Sequence, residues 1–237
     1  MLLLSRQRYS KPVNILEDFI SLFFPKYCVT CRRSLYTKEN LICTHSFVNV
    51  AKTNSHNEKP NFIEEKFYGR VNLGSAWAYF FFQQQGIAQD ILHHIKYKNF
   101  PELAEELGRR YALELKKKLD DACFDYIVPV PLYYKKFKKR GYNQSEKFAN
   151  GLSENSLIPT LNALRRLNDS ETQTAKTRVE RWRNVKGIFE LQKEEIKDKK
   201  ILLVDDVITT GATIEACSKV LLVEGCVVSG LALAAAR

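Results

Sequence analysis

No apolar run in this 237-residue chain is long enough to cross a bilayer, since the Leu2–Leu4 cluster and the Phe19–Phe24 stretch both fall far short. The start also lacks the ordered basic, apolar and small-residue regions of a secretory signal, so the cytoplasm is the expected compartment. There is no Gly-x-x-x-x-Gly-Lys-Ser/Thr loop, which removes a P-loop nucleotide hydrolase from consideration. Repeats and low-complexity tracts are missing too. Acidic residues are in deficit: 27 Asp and Glu against 37 Lys and Arg leave a formal charge of +10. That excess favours a polyanionic partner such as nucleic acid, and would equally suit a substrate carrying several phosphates. In a reducing compartment Cys28 and Cys31 read as metal or redox ligands, not as a disulfide framework. Cys123, Cys217 and Cys226 sit among apolar residues and read as buried hydrophobes.

The most informative segment runs from Ile201 to Thr213. An apolar stretch ends in adjacent carboxylates, Asp205 and Asp206, followed by Val207, Ile208, Thr209, Thr210, Gly211, Ala212 and Thr213. Ile214 to Glu224 then reads as a helix. Backbone N–H groups at a helix start are orphan donors at the positive end of the dipole, and they suit a dianionic phosphate. Gly211 allows close backbone approach, and the three threonines add hydroxyl donors. Asp205 and Asp206 would repel a phosphate, so they should face a vicinal ribose diol that donates to them. A purely structural strand-turn-helix would not need two carboxylates beside three hydroxyls.

The rest of the chain predicts alternating strands and helices. Residues 12–24 suggest a short amphipathic helix stopped by Pro25, with a compact cysteine-bearing segment after it. Residues 48–60 turn polar and suggest a loop or linker. Val71–Phe82 should be extended, and Ile87–Tyr97 helical with Ile91, Leu92 and Ile95 inward. Pro101 opens a further helix whose buried stripe is Leu103, Leu107, Tyr111 and Leu115. Tyr126–Leu132 should be a strand ending in a proline-constrained turn, with a helix at Asn143–Leu152 and a last strand at Cys226–Leu233. Such alternation implies a parallel sheet with ligands at its carboxyl edge. His93 and His94 have no matching ligands nearby in sequence and read as structural.

The Ile201–Thr213 stretch resembles the phosphoribosyl-pyrophosphate (PRPP) signature of type I phosphoribosyltransferases. Val128-Pro129-Val130-Pro131-Leu132, Arg140-Gly141-Tyr142-Asn143-Gln144, Thr172-Gln173, Arg178, Arg181, Asn184-Val185 and Gly187-Ile188-Phe189 form an ordered set around it. Together with the N-terminal cysteines, the set resembles the ComF family of competence-associated phosphoribosyltransferase-like proteins, from about Leu16 to the C-terminus. That resemblance implies an α/β fold, a type I phosphoribosyltransferase-like parallel sheet flanked by helices, with a small N-terminal metal-binding element. It divides the chain into an element with linker over 1–60 and a main domain over 61–237. It implies that Asp205 and Asp206, the catalytic candidates, hold the ribose hydroxyls while Thr209–Thr213 wrap the 5′-phosphate. Val130, Pro131 and Leu132 would form the pyrophosphate turn with Arg140, and Arg178 and Arg181 would lie on a hood loop over the substrate. Mg²⁺ would accompany PRPP. A role with single-stranded DNA, and with competence proteins such as a DNA translocase, is also implied.

Where the family carries two Cys-x-x-Cys pairs, this chain keeps Cys28 and Cys31 but reduces the second to Cys43-Thr44-His45-Ser46. Serine stands in the fourth position. A Cys₃His zinc site with His45 is the expectation, His56 the reserve, and a decayed site the alternative. Lys135, Lys136, Lys138, Lys139 and Arg140, interleaved with Tyr133, Tyr134, Phe137 and Tyr142, suit single-stranded nucleic acid through phosphate pairing and base stacking. A solvated loop would have the same composition. Asn143 and Gln144 can either cap a helix or meet a ligand. Two functions compete: a ComF-like protein binding PRPP and acting on single-stranded DNA, and a phosphoribosyltransferase passing ribose 5-phosphate to a nitrogenous acceptor.

Overall fold

The computed structural model describes residues 24–36, 39–168 and 187–237. The expected N-terminal helix up to residue 23, and the candidate hood residues Thr172, Gln173, Arg178 and Arg181, lie outside them. The chain divides into two compact units, residues 1–47 and 48–237.

In the first unit a tight turn brings Cys28 and Cys31 together, with Cys28 N–H donating to Arg33 O and Arg32 N–H to Cys28 O. A short helix, α1 (Thr44–Asn49), starts directly after Cys43.

The second unit is built on four parallel strands in the order β1 (Ala76–Phe81), β6 (Val227–Ala235), β5 (Lys200–Ile208), β2 (Tyr126–Pro129). Strand alternation sends successive side chains to opposite faces. One face carries Ala76, Val128, Ile201, Leu203, Val228 and Ala232 against α7 (Ala212–Val223), whose Ile214, Cys217 and Leu221 form a helical stripe. On the other face Tyr79 stacks on Tyr111 of α4 (Pro101–Ala122), ring centroids 4.2 Å apart. Helix α3 (Ile87–Tyr97) buries Ile91, Leu92 and Ile95 as its spacing predicts.

Beyond β2 the chain forms α5 (Tyr134–Arg140) and α6 (Gln144–Ser156), then returns to pair Thr160 in parallel beside Ile127. From β1 through β2 to Thr160 the connections run one way across the sheet, and from β5 to β6 they run back. The direction reverses between β2 and β5, and crevices at such reversals are where open α/β sheets take ligands. A small antiparallel pair, β3 (Leu164–Arg166) and β4 (Phe189–Leu191), flanks the sheet.

Two expectations need correction. Residues 48–60 are no free linker: Thr53 N–H donates to Tyr79 O, Ser55 is fully buried, and Lys52 bridges Phe80. The polar side chains there satisfy the backbone of edge strand β1, which composition alone reads as loop. Cys123 is exposed at the left-handed end of α4, its thiol on Asp120 O, whereas Cys217 and Cys226 are buried as expected. The Lys135–Arg140 run, for which a solvated loop was the alternative to a nucleic-acid-binding segment, is helical.

α4 and α6 meet backbone to backbone. A Cβ on Gly108 would lie 2.4 Å from Phe148 O, and one on Gly151 would lie 2.0 Å from Glu105 O. This contact sets where the α6 N-terminus sits. Gly151→Ala should therefore destabilise the protein by roughly 1–3 kcal/mol, measured by chemical denaturation. An unchanged midpoint would mean the helices have room to part.

Candidate functional site

The carboxyl ends of β2 and β5 open onto a cleft of about 810 Å³. β2 contributes the turn Val130-Pro131-Leu132, all three lining the cleft, with Val130 N–H donating to Val204 O of β5. β5 contributes Asp205, Asp206 and Val207 from within the strand, which continues to Ile208. The apolar run in the sequence ends at the carboxylates. Pairing with β6 (Asp205 opposite Ala232, Val207 opposite Ala234) carries the strand further and anchors both aspartates in rigid backbone.

The carboxylates are 6–7 % exposed, and each is met by side chains. Ser145 Oγ donates to Asp205 Oδ1 at 3.1 Å, and the Asp206 N–H donates to the same oxygen at 2.8 Å. Gln144 Nε2 donates to Asp206 Oδ2 at 2.7 Å, and Lys96 Nζ lies 2.9 Å from that oxygen. Burial, then the neighbouring Asp206 charge, pushes Asp205 up to about 7 against the opposing pull of the Asp206 amide, Lys96 and Ser145. The folded chain thus holds a proton there that the unfolded chain releases near 3.8, so stability from this group falls as pH rises toward about 7.

Asn143 and Gln144, left open between capping and contact, divide the roles. Asn143 caps α6 through Ser145 N–H (3.1 Å) and clamps the β2 turn by donating to Val130 O (2.9 Å). Gln144 links Asp206 to the Arg140 guanidinium, which donates to Gln144 Oε1. Arg140 also lies over the Tyr97 ring, 5.6 Å from its centroid, and the buried Tyr142 hydroxyl donates to Ile95 O. The end of α3 is thereby tied to the turn between α5 and α6.

Helix α5 splits the basic run by face. Lys136, Lys139 and Arg140, spaced three and four apart, line the cleft; Lys135 and Lys138 are exposed and do not. Tyr134 and Phe137 are exposed as well. Of the phosphate-loop candidates, Thr209 and Thr213 line the cleft, with Thr210 and Gly211 in the turn between them and Ala212 opening α7. Lys96, Tyr97, Asn99, Ser145 and Arg166 also line it. No motif in the sequence marks these as site residues. The signal for Lys96 was its place beside the buried face of α3, and for Ser145 its place in the first turn of a helix next to the carboxylates.

In the first unit the sulfurs of Cys28, Cys31 and Cys43 lie within 4.8 Å of one another, a group that could hold a metal. Burial raises the Cys28 thiol, but backbone hydrogen bonds from Cys31 and Cys43, with Thr30 and Ser46, outweigh it and lower the thiol to about 6. Ser46 is buried with Oγ 3.3 Å from Cys43 Sγ and 3.5 Å from Cys28 Sγ, whereas His45 is exposed outside the group. With Cys43 immediately before α1, the helical turn brings the residue three places on back over the thiol. His56 is buried in the second unit, its ring 5.8 Å from that of Tyr111.

Residues 102–237 match the phosphoribosyl transferase domain, and the chain belongs to that family. Over 98 residues it is 41 % identical to Competence protein F of Haemophilus influenzae, covering 40 % of this chain and 43 % of the relative. DNA utilization protein YhgH of Escherichia coli is 30 % identical over 139 residues (57 % and 61 % of the two chains). Competence protein ComFC of Bacillus subtilis is 29 % identical over 137 residues (58 % and 54 %). The matches span about half the length of these relatives. Together with the domain, they mark a ComF-family, phosphoribosyltransferase-like protein.

Three thiols and a hydroxyl suit zinc better than a hard cation. Ser46→Cys should complete a four-thiolate set and tighten zinc by at least about tenfold in chelator competition. His45→Ala should leave zinc content unchanged; a loss of metal would return His45 to the ligand set.

Proposed function

We propose that this ComF-like protein binds Mg²⁺ and PRPP in the β2–β5 cleft and acts on single-stranded DNA in uptake or processing during competence, in the cytoplasm. The observation that carries the first half is the carboxylate pair at the sheet's reversal, with a threonine-glycine turn on one side and cations on the other. Asp205 and Asp206 accept from the ribose diol, Thr209 and Thr213 flank the 5′-phosphate, and Lys136, Lys139 and Arg140 face the pyrophosphate. The oxygen-rich donor set suits Mg²⁺, which when bound would neutralise charge on the pyrophosphate. Residues 102–237 matching the phosphoribosyl transferase domain support this ligand class.

The second half draws on the relatives' names and on the outer side of α5. Lys135 and Lys138 can pair phosphates there while Tyr134 and Phe137, both exposed, offer stacking faces. Ribose transfer remains the other reading. What favours it is the position of Arg140 and the two inward lysines, which would stabilise departing pyrophosphate.

Calorimetric titration of the full chain with PRPP and Mg²⁺ should show saturable binding that Asp205→Ala with Asp206→Ala abolishes. Silence from the wild type would sink this reading. Because the diol donates to an ionised carboxylate and Asp205 titrates at about 7, affinity should rise about tenfold from pH 6 to pH 8. Asp205→Asn should flatten that rise.

Oligo-dT should bind with a steep salt dependence that Lys135→Ala with Lys138→Ala reduces. Those two changes should leave PRPP binding intact, whereas Lys136→Ala with Lys139→Ala should weaken it. No effect of the outer pair on DNA would reduce that face to a solvated surface.

A further inference from the structure

The phosphate turn is braced from behind by a segment that precedes the sheet. Asn61 anchors this segment: its side chain accepts from Ile63 and Glu64 N–H at the start of α2 (Phe62–Glu65) and donates to Ala76 O of β1 at 3.1 Å. Just beyond α2, Phe67 and Arg70 reach the Thr209–Thr213 turn. Arg70 Nη1 donates to Thr210 O at 2.7 Å and to Lys66 O at 2.9 Å, while Nη2 pairs with Glu215 in the first turn of α7. Glu215 is held in turn by Lys219 Nζ at 2.6 Å. The buried Phe67 ring lies flush with Gly211, so that a Cβ there would sit 2.6 Å from Phe67 Cε1.

The consequence follows from peptide planarity. Thr210 C=O and Gly211 N–H belong to one trans peptide and point in opposite directions. A guanidinium that holds the carbonyl therefore aims the amide away from itself. Gly211 has φ +78° and ψ 0°, a left-handed residue at a helix start, the arrangement in which successive N–H groups form an anion-binding concavity. Without a tether on the carbonyl, a glycine-containing peptide can rotate and present its oxygen to the phosphate instead. Neither Phe67 nor Arg70 lines the cleft.

We propose that Arg70 and Phe67 are positioning residues that preset the Thr210–Gly211 peptide so that its amide, not its carbonyl, faces the ligand's phosphate. The proposal rests on the ribose-phosphate reading of the cleft. A guanidinium fork can hold Thr210 O, Lys66 O and Glu215 together, whereas a lysine offers a single charged point. The donors are thus arranged before the ligand arrives, which removes an ordering cost from binding.

The test uses the full chain, ¹⁵N-labelled, with ribose 5-phosphate as the probe. In the free wild type the Gly211 amide should give one sharp resonance. In Arg70→Gln it should broaden or double and exchange faster with solvent. Ribose 5-phosphate affinity should fall about ten- to thirtyfold in Arg70→Gln, as expected for losing a charge-assisted hydrogen bond. Arg70→Lys should recover part of it, and Glu215→Gln, which leaves the Thr210 contact in place, should shift it less than about threefold. Should Arg70→Gln fail to fold, Phe67→Leu carries the same amide measurement, because it removes the ring from Gly211 and keeps the ion pair. A Gly211 resonance and exchange rate unchanged in the folded variants would overturn the proposal. A wild type that ignores ribose 5-phosphate would sink the ligand reading, while the amide measurement on the free protein would still decide the positioning role.

Discussion

Two carboxylates set side by side near the end of a central strand impose the main demand on this fold. Adjacent charges repel, and burial removes the water that would screen them. The surrounding structure supplies what water cannot. Lys96 reaches Asp206 from α3, Gln144 and Ser145 reach the pair from the first turn of α6, and Asp205 takes the Asp206 amide as a further donor. What is left uncompensated is visible in Asp205, whose proton is held until about pH 7. Natural sites tolerate such a cost where function needs the charge.

Each donor has to be placed, and the placement runs through the helices. α6 can present Gln144 and Ser145 because Gly108 and Gly151 let it lie against the backbone of α4. Asn143 ties the same helix start to the β2 turn, so the Val130–Leu132 side of the cleft and the carboxylate side are one connected structure. On the far side, Phe67 and Arg70 hold the Thr210–Gly211 turn. The cleft is thereby shaped from three directions by residues distant in sequence.

Much of this was legible beforehand. Helix α3 falls where its apolar spacing put it, and α4 starts at Pro101 with its stripe of Leu103, Leu107, Tyr111 and Leu115 buried. The carboxylates and threonines of the 205–213 segment sit at the sheet's carboxyl edge because an apolar run before a glycine turn has few other places to go. The basic run was harder. Its composition fits a nucleic-acid-binding segment and a solvated loop alike; as a helix it sends Lys136, Lys139 and Arg140 one way and Lys135 and Lys138 another, a division that depends on the 3.6-residue period. The cysteines Cys28, Cys31 and Cys43 converge as their spacing suggests, while the position of Ser46 beside the sulfurs follows only from the turn of α1.

The sequence by itself determined the elements and the chemical vocabulary: local periodicity, prolines, glycines and the acidic and threonine-rich motif are properties of neighbours along the chain. Only the tertiary structure decided which charges oppose which. Lys96 against Asp206, Ser145 against Asp205 and Arg70 against Thr210 join residues far apart in sequence. Such pairs arise from packing, when a strand order reverses and two helices cross at their glycines, and no local pattern encodes a contact whose partner lies 60 or more residues away.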